Sequence, residues 1–303
     1  MSGFLSDKPF YDVRIDKGLW VDEARGGRTV PYKIYRPEIM DADSYPLVVW
    51  SHGLGGTRDG AGFLGRYLAA RGFIHAHIQH DGSDDCLWRG MPGHPWDNIR
   101  KGTVSREDVF NRYTDTSFAL DNLKNMYDGK LDFSRIGMSG HSFGAHTTQV
   151  IAGQLAGRET PEDKSDPRIV AGILYSPVPA FRHAVGGRDV YAAINRPLLH
   201  MTGTKDESPV EHFGYDKRLE VFEQAGNPDQ HLFILNGADH MVYNGSRGQL
   251  ESYPEIEKHQ AMIAQLAHIW WEAWLNHDDA AMAWLNGPGV QQWVEGEGVY
   301  KKR

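Results

Sequence analysis

Apolar positions along this chain fall into two kinds of segment that take turns: short unbroken runs, and longer stretches in which they recur every three or four residues. Near the start, YDVRI and VPYKIYRP alternate in the manner of strands and predict an antiparallel pair. YPLVVWSHG, residues 45–53, is a continuous apolar run of the kind buried on both faces, and predicts the first strand of a central sheet. There follow a helical pattern (GAGFLGRYLAARG), a strand (FIHAHIQH), a helix (REDVFNRYTDTSFALDNLKNMY) and a strand (SRIGMSG). Beyond these come the strands RIVAGILYSP and RPLLHMTGT, the helix SPVEHFGYDKRLEVFEQAG, the strand QHLFILNGADH and a long helix, YPEIEKHQAMIAQLAHIWWEAWLNH. Strands alternating with helices predict an α/β fold with a mostly parallel central sheet and helices on both faces. Residues 81–105 and 179–195 break the alternation and are expected to be lid or cap insertions within a single domain spanning 1–303.

Composition narrows the class of protein. Thirty-two basic residues against 40 acidic ones give a net charge of -8 without basic clusters, which argues against a nucleic-acid partner. No apolar run approaches the roughly 20 residues of a transmembrane span. The segment MSGFLSDKPFYDVRIDKG lacks the basic and apolar regions of a signal peptide, although a removed signal would leave the same pattern. A single cysteine, Cys86, precludes an intrachain disulfide and fits a reducing, cytoplasmic location.

Candidate chemistry lies where strands give way to turns. In GHSFG, Ser142 sits between Gly140 and Gly144 at a strand-to-helix junction, the layout of a nucleophile elbow; the alternative is a serine that merely caps the helix. A serine nucleophile needs a base, and the base needs an orienting acid. Asp206 in GTKDES and His240 in GADHM follow successive predicted strands, where parallel strands deliver side chains to one rim. Glu207 and Asp239 compete as acids by adjacency, while His141 is too close to Ser142 in the chain to reach its hydroxyl easily. A tetrahedral intermediate requires two N–H donors, and Phe143 and Leu54, in the glycine-rich turn HGLGG, are the candidates. Trp88 and Trp96 in the first insertion, with Met241 beside the base, are candidate substrate-binding residues. The cluster HAHIQHDGSDDC offers His75, His77, His80, Asp81, Asp84, Asp85 and Cys86 as a rival metal-binding set.

Taken in order over residues 45–285, VVWSHGLGG, GHSFGA, LLHMTGTKDES and NGADH resemble the α/β-hydrolase superfamily. More narrowly, they resemble the dienelactone-hydrolase-like serine esterases, which are similar to platelet-activating-factor acetylhydrolases and more distantly to cutinase-like polyester hydrolases. RYTDTSFALDNL and WWEAWLNHDDAAMAWL also look family-like, the latter as a covering helix. The resemblance implies the α/β-hydrolase fold, Ser142 as nucleophile, Asp206 as acid, His240 as base, and Leu54 with Phe143 as oxyanion donors. True dienelactone hydrolases carry cysteine where this chain has Ser142, so their lactone substrate does not carry over. In the acetylhydrolases the acid follows the strand after the nucleophile, where this chain reads LYSPVP with Ser176 and Pro177, which again selects Asp206. The expected activity is hydrolysis of a small-molecule or lipid-like carboxylic ester with no cofactor and no metal. A peptidase or amidase using the same triad, and a non-catalytic ligand-binding protein of the same fold, are the alternatives.

Overall fold

The computed structural model describes residues 11–157, 160–180, 184–185, 188–245 and 252–303. An antiparallel ribbon comes first: β1 (Val13–Asp22) pairs with β2 (Arg28–Pro37) from Val13 opposite Pro37 to Asp22 opposite Arg28. The alternating segment then runs β3 (Tyr45–Ser51), α1 (Gly62–Ala69), β4 (Ile74–Ile78), α2 (Pro95–Lys101), α3 (Arg106–Met126), β5 (Leu131–His141), α4 (Phe143–Ile151) and β6 (Ile169–Tyr175). A two-residue pair, β7 (Ala184–Val185) with β8 (Arg188–Asp189), precedes β9 (Leu198–Lys205), α5 (Tyr215–Gln224) and β10 (Gln230–Asp239). Helices α6 (Ile256–Leu275), α7 (Asp279–Asn286) and α8 (Pro288–Trp293) lead to β11 (Gly298–Lys302).

Among the described residues, nine strands form one sheet in the order β1-β2-β4-β3-β5-β6-β9-β10-β11. The six from β4 to β10 are parallel, with antiparallel β1, β2 and β11 at the edges. This is the expected α/β-hydrolase architecture. From β3 the chain passes to β4 on one side and then returns to β5 on the other, so strand order reverses at β3. In open parallel sheets ligands bind in the crevice beyond the carboxyl ends at such a point, here after Ser51 and His141.

All seven residues of β3 are buried, which is why it reads as an unbroken apolar run. Val48 and Trp50 pack with Leu64 and Leu68 of α1 and Ile263, Trp270 and Trp271 of α6. Their neighbours Leu47 and Val49 pack on the other face with Leu120 and Leu123 of α3 and Val150 and Ile151 of α4. Period-2 alternation on one strand thus serves two cores. Helix α3 starts where a capping box predicts: Ser105 Oγ accepts from the Asp108 N–H at 3.0 Å, and the Asp108 carboxylate accepts from the Ser105 N–H at 3.2 Å.

The structure departs from the sequence reading in four places. The helix expected from Ser208 begins at Tyr215; Ser208 instead closes a loop, its N–H donating to the Phe213 carbonyl at 2.8 Å and its hydroxyl accepting from the Glu211 N–H at 3.1 Å. The expected covering helix is two, because Asp278 caps a new start at α7, accepting from Ala280 and Ala281 N–H groups. The 81–105 insertion contains α2 and a 3₁₀ turn, Asp85–Leu87. Strand β11, which the sequence reading omits, pairs antiparallel with β10. Within the second insertion, residues 181–183 and 186–187 lie outside the described residues. Among the described residues, no helix is long and apolar enough to cross a membrane.

Candidate active site

Ser142 is the single residue between the end of β5 and the start of α4, with φ 56° and ψ -117°. This is a strained conformation for a residue with a Cβ, and neighbouring bonds hold it. Its N–H donates to the Tyr175 carbonyl at 2.9 Å, and its carbonyl accepts from the His146 N–H at 3.0 Å. Its side chain makes no capping hydrogen bond, which removes the helix-cap reading. The flanking glycines are required by close approach: a Cβ on Gly140 would lie 2.3 Å from the Gly144 carbonyl oxygen, and one on Gly144 would lie 1.9 Å from that of Ser51. The ends of β3 and β5 and the first turn of α4 therefore meet backbone to backbone.

Two further strand ends supply the polar partners. Asp206 directly follows β9, is 1% exposed, and accepts at Oδ1 from His240 Nδ1 at 2.7 Å and at Oδ2 from Thr202 Oγ1 at 2.8 Å. A carboxylate only accepts, so Nδ1 of His240 carries a proton, and it is Nε2 that holds the lone pair of the neutral ring. Burial alone would raise the Asp206 carboxyl, but the adjacent His240 and Arg218 charges and their hydrogen bonds outweigh it and hold it well below the usual range. The competing acids are otherwise engaged or exposed: Asp239 caps the turn after β10, accepting from Met241 and Val242 N–H groups at 3.1 Å, and Glu207 is exposed. His141, 4.6 Å from His240 between ring centroids, donates from Nε2 to the His240 carbonyl at 2.8 Å, so it braces that residue's backbone.

Beneath the turn after β3 lies a buried polar network. His52 accepts at Nε2 from the His80 N–H at 3.0 Å and so donates from Nδ1 to the Gly53 carbonyl at 2.7 Å. Gly55 and Gly56 commit their N–H groups to the carbonyls of Ser83 and Gly53 at 3.0 Å each. Arg112, fully buried on α3, donates to Thr147 Oγ1 and Ser83 Oγ at 2.8 Å, to Ser51 Oγ at 2.9 Å and to the His52 carbonyl; its guanidinium lies 4.4 Å from the Phe143 ring centre. One side chain thereby ties the Leu54 turn to the start of α4.

A cavity of about 650 Å³ is lined by Leu54, Trp88, Trp96, Ser142, Phe143, His240 and Met241. Every site residue read from the sequence faces it except Asp206, which is buried behind His240. Trp88 is also tied to the turn, donating from Nε1 to the Gly55 carbonyl at 2.7 Å. Arg100 of α2 donates to the Pro209 carbonyl at 2.9 Å, joining the insertion to the loop after Asp206. A second cavity, about 930 Å³, shares Phe143, Val178 and Glu211 with the first and extends between α3 and α4 past Tyr113 and Leu155.

The histidines of the rival metal set are committed elsewhere. His75 Nδ1 and His77 Nε2 bond each other at 2.7 Å, and His80 bonds Ser51 Oγ at 3.0 Å and Asp115 at 3.1 Å. Among the described residues, the group of metal-donor atoms within 4.8 Å of one another is instead Asp81, Asp84 and Cys86. Burial and the Asp84 carboxylate push the Cys86 thiol up to about 12, away from a nucleophilic thiolate.

Sequence reasoning omitted Arg218, Thr202 and Arg112 from the site. Arg218, in YDKRLEVFEQ, reads as the polar face of an amphipathic helix, yet it is 1% exposed and contacts Asp206. Arg112 falls within the family-like RYTD stretch, the one signal that could have drawn attention to it.

Residues 21–87, from the end of β1 through the Leu54 turn to Leu87, match the model of the platelet-activating factor acetylhydrolase, isoform II family. The chain is 26% identical over 246 residues to the platelet-activating factor acetylhydrolase of Cavia porcellus, covering 71% of this chain and 51% of that protein. It is 24% identical over 258 residues to the Bos taurus protein of the same name, covering 72% and 52%. The chain thus spans about half the length of the curated relatives it matches.

Proposed function

We propose that this α/β-hydrolase, a relative of the platelet-activating factor acetylhydrolases, cleaves carboxylic esters through an acyl-enzyme on Ser142. One observation carries the reading: a strained serine shares a cavity with His240, whose Nδ1–H is bonded to the buried carboxylate of Asp206. With Nδ1 protonated, Nε2 is the nitrogen able to take the Ser142 proton as Oγ attacks the ester carbonyl. The carbonyl oxygen, now negative, is held by the N–H groups of Leu54 and Phe143, the latter a first-turn helix N–H with no partner inside the helix. As the tetrahedral species collapses, the imidazolium returns its proton to the departing alcohol. Water then enters, His240 takes one of its protons, and the resulting attack frees the acid and Ser142.

The relatives' name speaks of an acetyl group, and we take short-chain acyl esters of lipid-like alcohols as the substrate class. In this reading the acyl group lies in the cavity between Trp88 and Met241, and the second cavity beyond Phe143 has room for the longer alcohol arm.

The test is mass spectrometry of the intact protein and of Ser142→Ala after exposure to a fluorophosphonate, with hydrolysis of p-nitrophenyl acetate followed in parallel. A single adduct on Ser142, lost together with turnover by a factor of about 10⁴ or more in the variant, is the expected result. A folded wild-type protein that neither labels nor turns over would refute the reading, as would turnover that survives in Ser142→Ala. Matched ester and amide substrates should differ strongly in favour of the ester; equal rates would make the peptidase reading the better one.

A further inference from the structure

We infer that Arg218 is a positioning residue that sets the working pH of the proposed Asp206–His240 couple by sharing the carboxylate oxygen to which the histidine is bonded. The inference rests on the ester-hydrolase reading of Ser142.

Arg218 Nη2 lies 3.0 Å from Asp206 Oδ1, the same oxygen that accepts from His240 Nδ1 at 2.7 Å. The two nitrogens are only 3.1 Å apart. Because Nδ1 is already a donor to the carboxylate, this short separation is a contact between two N–H groups on one acceptor rather than a bond between them. Asp206 Oδ2 accepts from Thr202 Oγ1, while Oδ1 is shared by His240 and Arg218.

The guanidinium is locked. Its Nε reaches the Asp206 carbonyl at 3.4 Å, its Nη1 donates to the carbonyls of Ser176 at 3.3 Å and Pro177 at 3.0 Å, and the Phe213 ring covers it at 4.8 Å. The other titratable groups near the base do not offset it. His141 is buried and kept neutral, burial being the main cause, and Tyr243 is buried and likewise kept neutral; the carboxylates of Asp239, a turn cap, and Glu211, bonded to Ser208, are present alike with or without Arg218, so exchanging Arg218 changes only its own charge.

When His240 takes the serine proton, the site therefore holds two cations against one carboxylate. In a triad without Arg218, the carboxylate would favour the imidazolium undiluted, and the base would stay protonated to higher pH. The arginine opposes this, keeping the histidine available as a base further into the acid range while fixing the carboxylate in place.

The test is the pH dependence of burst-phase acylation by p-nitrophenyl acetate for wild type, Arg218→Gln and Arg218→Lys, with folding checked by circular dichroism at each pH. In Arg218→Gln the acid limb is expected to move upward by about one pH unit, so that the rate below the limb falls about tenfold more than the alkaline plateau. Arg218→Lys, which keeps the cation but not the fork, should lower the plateau while leaving the limb in place. A limb that stays put in folded Arg218→Gln, or one that moves as far in the lysine variant, overturns the inference. Should Arg218→Gln fail to fold, the lysine variant decides alone: a lowered plateau with the limb in place supports the inference, and a raised limb or an unchanged plateau overturns it. A wild type that does not acylate removes the ester-hydrolase reading itself, an outcome visible before any variant is compared.

Discussion

Arg112 shows how much of the proposed site depends on a residue that does not face its cavity. The guanidinium is fully buried, and its hydrogen-bond partners are three hydroxyls and a carbonyl. Replacing it with methionine would strand those acceptors and remove the cation that lies against Phe143, the residue whose N–H is the proposed oxyanion donor. Arg112→Met is therefore expected to lose roughly 2–4 kcal/mol of stability by chemical denaturation. Arg112→Lys should fold but lose about tenfold or more in kcat with little change in KM, because the lost alignment matters chiefly in the transition state. A lysine variant with wild-type kcat would show that Arg112 serves packing alone. The same residue marks a boundary of what can be read from sequence. Ser142, Asp206 and His240 were legible because each follows an apolar strand and carries a reactive group, whereas arginines 112 and 218 sit on helices whose polar positions look solvated until the packing is known.

At the scale of elements, the 81–105 insertion has two tryptophans with different tasks. Trp88 holds the Leu54 turn through its bond to Gly55, while Trp96 lies on α2, which Arg100 ties to the loop after Asp206. Trp88→Ala should thus lower kcat for every ester, whereas Trp96→Ala should raise KM selectively as the ester grows. Kinetics across a chain-length series separates the two, and identical profiles would remove the distinction. The buried strands were legible because a strand covered on both faces is written as a continuous apolar run, as in β3 and β6. The start of α5 was not, since Ser208-Pro209 carries the signature of a helix start, a polar cap followed by proline. Here the Ser208 hydroxyl closes a local loop instead, and that loop lines the cavity. β11 escaped notice because two of its five residues are Lys and only Tyr300 is buried, the composition of a half-exposed edge strand.

For the molecule as a whole, burial of histidine predicts acid instability. Burial, the leading cause in each case, lowers His75 and His231 to about 3 and His80, His146 and His200 to about 4. In the unfolded chain histidines titrate near 6.5. The unfolded state thus gains protons first as pH falls, so the stability these groups allow is complete above about pH 7 and is lost on the way down toward 4. Each contributes a slope of roughly 1.4 kcal/mol per pH unit, and the five together roughly 7, set against a total stability of about 5–15 kcal/mol. Unfolding between about pH 5 and 6 is the expected outcome, checked by denaturant midpoints from pH 8 to 5. The depressed Asp115 and Asp206 carboxyls act in the same direction but only below about pH 4, near where free carboxyls titrate. A midpoint flat from pH 8 to 5 would mean these histidines already carry protons in the folded protein.

The sheet order also separates the proposed chemistry into two halves. The serine and the Leu54 turn end neighbouring strands β5 and β3, the acid and base end neighbouring strands β9 and β10, and β6 alone lies between the pairs. A strand that contributes no reacting group is therefore the spacer of the machine: its place between the pairs and its register with β5 and β9 fix how far the base stands from the nucleophile. Substitutions in β6 that shift its end, where the Tyr175 carbonyl accepts from the Ser142 N–H at 2.9 Å, would therefore change rate without altering any residue that touches substrate.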